Sequence, residues 1–475
     1  MTSEYTSPLA ERVATPEMLR LWSPQRKFAT WRRCWVALAE AEKELGLPIT
    51  DEQLEQMRAH VEDIDFVAAA KLERELRHDV MAHIHAYGLA APKAKPIIHL
   101  GATSCYVTDN TDLILMREAL NLLVAKAVNV LGGLAEFVEK WKDLPTLGYT
   151  HYQPAQVVTV GKRACLWAQD ILMDVEDIEQ ARDRLQCRGA KGTTGTQASF
   201  LALFDGDVDK VRKLDQLVAQ KLGFDTSYPV TGQTYPRKVD THVIRVLAGI
   251  GESVHKFATD MRLLQNLKEV EEPFEEQQVG SSAMAYKRNP MRCERACALS
   301  RFLMAMPLHT EFTSALQWFE RTLDDSAIRR IVLPEAFLAA DGVLNLYLNI
   351  MENPVVNPKV IEKHLRAELP FMATENILMA CVKRGGDRQE LHEIIRKHSQ
   401  AAAARVKNGE DNDLLEHLAS DPSVPMTRAE IEDALNVRDF VGLAPQQVND
   451  FIGAHVRPVL ERHRARLGMR SDVRV

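Results

Sequence analysis

The sequence predicts an all-α protein. Three observations carry that prediction: long apolar seams with helical spacing, a scarcity of alternating strand-like runs, and a C-terminal third cut into short helices by clear punctuation. After Asp109, Asn110 and Thr111, apolar residues recur at Leu113, Met116, Leu120, Leu123, Ala127, Val130, Leu134, Phe137 and Trp141. Their steps alternate between three and four, which lays one seam along a single long helix. A second seam runs through Val157, Val160, Ala164, Trp167, Ile171, Val175 and Ile178, and a third through Val243, Val246, Ile250, Val254, Phe257, Met261 and Leu264. Helices of that length with one apolar side bury it against each other, so the middle of the chain reads as an elongated bundle.

Before the bundle, residues 1 to about 103 carry shorter helical patterns and end in a loop at 95–104, KPIIHLGATS. Beyond Pro354 and Pro358 the helices shorten, and Gly385 and Gly386 followed by Asp387 and Glu390 mark a helix restart with an Asp cap. These signals divide the chain into an N-terminal helical domain (1–103), a central long-helix bundle (104–356) and a C-terminal helical domain (357–475).

The 475 residues are 46% hydrophobic and 26% charged, ordinary for a globular protein, which excludes disorder and fibrous repeats. The uncharged stretch 144–161 contains Pro145, His151, Gln153, Pro154 and Gln156, so no transmembrane helix is expected. The N-terminus has no apolar signal region, and a cytoplasmic location is expected. Seven scattered cysteines without a C-x-x-C pair fit reduced thiols, with no metal site and no cofactor. A net charge of −7 lacks the positive field that nucleic-acid binders use. An anionic ligand must therefore meet a local cationic cluster.

Five segments could supply such a site. Residues 280–290, GSSAMAYKRNP, combine small residues and hydroxyls with Lys287 and Asn289, and the helix starting near Met291 adds Arg292 and Arg295. Residues 149–156, YTHYQPAQ, set His151 beside Thr and Gln side chains that can orient an imidazole. In 77–85, RHDVMAHIH, His78 between Arg77 and Asp79 is a polar-site candidate, whereas His83 and His85 read as packing or surface residues. Thr103 and Ser104 offer hydroxyls at a loop-to-helix turn, and 318–330 supplies Arg321, Ser326, Arg329 and Arg330, whose guanidinium forks suit phosphate or carboxylate. The segment 191–194, KGTT, lacks the order of a nucleotide-hydrolysing phosphate loop.

In this order the segments resemble the fumarase/aspartase superfamily, whose signature loop is similar to residues 280–290. Within it, 150–156, 77–79, 191–196 and 286–290 resemble the animal-type adenylosuccinate lyase family. The resemblance implies three helical domains whose central bundles form a 20-helix core in a homotetramer, with active sites shared between subunits. It implies β-elimination of fumarate from two succinyl-purine substrates, adenylosuccinate and the succinylcarboxamide ribotide SAICAR, without nucleic-acid or membrane partners. Ser281 would then be the base and His151 the acid. Arg12, Arg77, His78, Asp79, Thr103, Ser104, Gln233, Lys287, Asn289, Arg295, Arg321, Ser326 and Arg330 would hold the substrate. Two residues depart from the family pattern: Ala285 replaces its usual Pro, and Val13 its usual Tyr. A sibling lyase acting on argininosuccinate and a non-catalytic helical scaffold are the alternatives.

Overall fold

Four long helices set the architecture of the computed structural model, which describes residues 4–275, 278, 283, 284, 286–471 and 473. Six shorter helices precede them: α1 (Pro8–Arg12), α2 (Pro16–Leu21), α3 (Pro24–Glu44), α4 (Asp51–Ala59), α5 (Phe66–Leu76) and α6 (Asp79–Ala90). The bundle begins with α7 (Ser104–Lys140), whose 37 residues span about 55 Å at 1.5 Å per residue. A hairpin, β1 (Pro145–Thr150) and β2 (Gln153–Thr159), leads into α8 (Val160–Asp183). After α9 (Ala198–Leu203) and α10 (Val208–Lys221) come α11 (Lys238–Asn266), β3 (Val270–Glu271), α12 (Met291–Ala305), α13 (Pro307–Ala315) and α14 (Asp324–Glu352). The chain continues through β4 (Val355–Val356), α15 (Pro358–Met372), α16 (Thr374–Lys383), α17 (Arg388–Lys407), α18 (Leu414–Ser420), α19 (Arg428–Asp433), α20 (Ala444–Phe451) and α21 (Arg457–Arg462).

Helix α7 packs on α8 and α14, and α11 packs on α8, α12 and α14. The apolar seams face inward: Leu113, Met116, Leu120, Leu123, Ala127, Val130 and Leu134 are fully buried in α7. At the crossing of α8, α11 and α14, Phe257 stacks on Tyr347 at 3.8 Å between ring centroids and meets Trp167 edge-on at 5.2 Å. Burying each such ring stabilises the bundle by about 2 kcal/mol. Helices α7 and α14 are long and apolar enough to cross a membrane, yet most of their apolar length is buried in the bundle. The N-terminal segment is tied on by a buried polar cluster: Asp341 accepts from the backbone N–H and hydroxyl of Thr15 (2.7 and 2.9 Å) and pairs with Lys126. A second, separate core of the C-terminal region gathers Ile377, Cys381, Leu391, Leu414, Leu418 and Ile431, while α20 returns to pack on α7 and α8.

Helix α7 starts at Ser104, at the loop-to-helix turn, and Asp109 lies inside it, 1% exposed and ion-paired to Arg237. One local expectation changes. The second helix starts at Val160, and 153–159 forms β2 instead. The hairpin escaped notice because its turn residues, His151 and Tyr152 (φ 52° and 57°), carry none of the Gly or Asn that normally announce such turns. Its register shifts at Gly148, where a Cβ would lie 2.6 Å from the Gln156 carbonyl oxygen. By contrast, Asp387 caps α17 as expected, accepting from the Gln389 and Glu390 amides.

Candidate active site

Most of the predicted substrate-binding residues converge at one end of the bundle, where α7, α11 and α14 begin. The Gln233 amide donates to the Thr103 hydroxyl at 3.3 Å. Arg321 donates to the Cys105 sulfur at 2.8 Å and stands 3.4 Å from the Asp325 carboxylate. Arg330 donates to Asp79 at 2.7 Å. Burial works to raise the Asp79 carboxyl, but the Val80 amide and Arg330 outweigh it and hold it below its ordinary value. His78 is the N-cap of α6: its Nδ1 accepts from the Met81 amide at 3.2 Å, so the neutral ring carries its proton on Nε2. That nitrogen stands 3.4 Å from the Ser104 hydroxyl. The first turn of α6 therefore orients His78 as a donor toward the mouth of α7. Arg77, left-handed at φ 54°, closes α5 next to it, and Ser326 lies in the first turn of α14.

Beneath this rim lies a charge network that the sequence reading missed. Asp109 accepts from both terminal nitrogens of Arg237 (3.0 and 3.1 Å), and the Arg237 Nε donates to Asp325 at 2.7 Å. Arg329 bridges Asp240 at 2.7 Å and Asp112 at 2.9 Å. Burial pushes the Asp109 carboxyl up, but Arg237 and Arg329 overcome it and hold it low. The signal in the sequence was the four-residue spacing of Asp325 and Arg329, which puts them one turn apart on the same face of α14. Cys105, at the same end, is inert: burial and then Asp109 push its thiol up to about 11.

The other predicted residues lie elsewhere. His151 is exposed at the hairpin turn, beyond the far end of α7. Tyr149 and Tyr152 flank it with ring centroids 5.8 Å apart, and burial followed by Glu269 pushes the Tyr149 hydroxyl up to about 12. Lys287 and Asn289 precede α12, where the Gln265 amide at the end of α11 donates to the Arg288 carbonyl at 3.1 Å. Arg12 closes α1 and shares a cationic neighbourhood with Arg295 in α12, whose guanidinium is lowered by burial and then by Arg12 and Arg292. Val13, beside Arg12, packs directly on Gly342 of α14. Ser281 and Ala285 lie outside the described residues. His83 is a packing residue, stacked on Phe28 at 3.8 Å, with burial and Arg32 lowering it to about 4. Among the described residues, no three His, Cys, Asp or Glu side chains form a metal-holding group.

A family described as Lyase matches residues 13–302, and one described as Adenylosuccinate lyase C-terminus matches 370–451. The chain is 56% identical over 460 residues to the adenylosuccinate lyase of Schizosaccharomyces pombe, covering 96% of this chain and 95% of that one. The chain belongs to the adenylosuccinate lyase family. The Saccharomyces cerevisiae member is 55% identical, with 96% of each chain covered, and the Schistosoma mansoni member 48%, with 99% of each covered. The fold is shared more widely. The 3-carboxy-cis,cis-muconate lactonizing enzyme of Pseudomonas putida superposes with a TM-score of 0.82 at 22% identity, covering 94% of this chain and 99% of that one. The fumarate lyase of Mesorhizobium sp. BNC1 gives 0.80 at 22%, covering 95% and 100%.

Proposed function

We propose that this lyase eliminates fumarate from adenylosuccinate, leaving AMP, and from SAICAR, leaving AICAR, in purine nucleotide biosynthesis. The observation that carries the reading is the convergence of His78, Asp79, Thr103, Ser104, Gln233, Arg321 and Arg330, drawn from four separate stretches of sequence, on one bundle end. Their hydroxyls, amide and guanidiniums match a substrate bearing phosphate, purine and carboxylates. Ser281 takes the proton from the succinyl carbon. The C–H electron pair becomes the new double bond, the C–N bond breaks, and its pair goes to the departing nitrogen, which His151 protonates. Lys287 and Asn289 stabilise the dianion that forms next to the carboxylate. Arg12, Arg77, Arg295 and Ser326 complete the grip on phosphate and succinyl group.

His78, Thr103, Gln233 and Arg330 sit at the end where α7 begins and His151 beyond its other end, with a helix of 37 residues and about 55 Å between them. No single chain can close a site from both, which supports a homotetramer with active sites shared between subunits. Exposed Leu166 and Met173 on α8 and Phe302 on α12 give the bundle apolar side chains to bury in such a core. Cytoplasmic location, with no membrane or nucleic-acid partner, belongs to the same reading. Incubation with adenylosuccinate and, separately, SAICAR, read by NMR, is expected to yield fumarate from both. Silence from folded protein overturns the proposal, and turnover of argininosuccinate alone redirects it.

A further inference from the structure

Gln233 is held in place by a side chain that the reaction does not use. Arg188 is 0% exposed. Its guanidinium spends its donors on carbonyls: Nε and Nη2 donate to Gln233 (3.0 and 2.7 Å), Nη2 also to Gly192 (2.8 Å), and Nη1 to Gly189 (3.1 Å). The nearby carboxylates are committed elsewhere, Asp109 to Arg237 and Asp215 to Lys191 and the Ala190 amide. A buried cation satisfied only by carbonyls is costly to keep, so its geometry must matter.

The backbone at this point leaves no slack. At Gly195 (φ 81°) a Cβ would lie 1.8 Å from the Thr231 carbonyl oxygen, so the glycine-rich loop rests directly on the segment carrying Gln233. The Gln233 amide N–H donates to the Glu320 carbonyl at 3.0 Å while its own carbonyl receives Arg188. With its main chain gripped on both sides, the Gln233 side chain reaches Thr103 at the rim.

We propose that Arg188 is a positioning residue that sets the Gln233 amide for the nucleotide substrate by clamping its carbonyl to the glycine-rich loop. The proposal rests on the reading of Gln233 as a substrate contact. A fork that spans three carbonyls has no lysine equivalent, since an ammonium is a point donor on a flexible stem.

A double-mutant cycle with adenylosuccinate tests it, using wild type, Arg188→Lys, Gln233→Leu and the double variant, with circular dichroism and Tm recorded for each. Arg188→Lys is expected to raise KM about tenfold with a smaller effect on kcat. The double variant is expected to be no worse than Gln233→Leu alone, because Arg188 acts through Gln233. Multiplying losses overturn the proposal, as does wild-type KM in Arg188→Lys beside an impaired Gln233→Leu. A loss that tracks the folded fraction marks a scaffold role and also overturns it. Wild-type KM in Gln233→Leu removes the reading of Gln233 itself. If the lysine variant fails to fold, Arg188→Gln carries the same cycle, with the same outcomes deciding it.

Discussion

The two ends of the bundle are built on opposite principles. Where α7, α11 and α14 begin, the rim residues stand on buried ion pairs: Arg237 and Asp325 are 2% and 0% exposed. At the other end His151 sits exposed on a two-residue turn in left-handed backbone, with aromatic rings for company. A buried network fixes geometry in advance, and that suits the binding of a rigid, multiply charged nucleotide. An exposed turn suits a proton donor whose pocket is completed by another chain. On the proposed reading, the difference means that the site is prepared in halves, one preorganised within the chain and the other finished only on assembly.

The comparison breaks most visibly in activity. His151→Ala is expected to lower kcat about a thousandfold while leaving Tm and oligomer mass unchanged. Near-normal turnover in a steady-state assay would remove His151 from its role. The opposite end should respond in stability first. Asp325→Asn leaves the Arg237 guanidinium without one of its buried carboxylates and frees Arg321, so urea unfolding should show a loss of about 3 kcal/mol together with a raised KM. An unchanged denaturation midpoint would mean that the network is dispensable.

A smaller effect is expected from a residue outside both ends. Glu42 in α3 is 0% exposed, neither of its carboxylate oxygens has a hydrogen-bond partner among the described residues, and burial pushes it up to about 9. An acid whose folded value lies above its unfolded one keeps its proton longer in the native state. Stability therefore falls as pH rises from about 4.5 towards 9. Glu42→Gln removes that slope, and Tm should rise by about 2 °C at pH 8.5 with little change at pH 5. An equal shift at both values would contradict the assignment.

How much was legible beforehand follows the same division. The seams placed α7, α8 and α11 because apolar periodicity is a local property, and the same holds for the Asp387 cap. Of the rim residues, His78, Thr103, Ser104, Arg321 and Arg330 were legible as candidates from their chemistry, but Gln233 only through motif resemblance, since it reaches Thr103 only in the folded chain. The network was not legible: Asp109 and Arg237 are distant in sequence and pair only in the folded chain. Arg188 gave no signal either, because its partners are backbone carbonyls, which every sequence offers at every position. The hairpin holding His151 was hidden by a turn that adopts left-handed backbone without glycine or asparagine.

The most direct test of a site prepared in two halves is to mix two inactive proteins. His151→Ala and Arg321→Ala, each silent alone, are co-expressed or unfolded together and reassembled, and fumarate release is measured. If each site takes His151 from one chain and Arg321 from another, random hybrids carry both intact in about a quarter of sites, and about a quarter of wild-type activity returns. Activity that stays at the level of the parent variants would show that both residues serve from the same chain and would contradict the account.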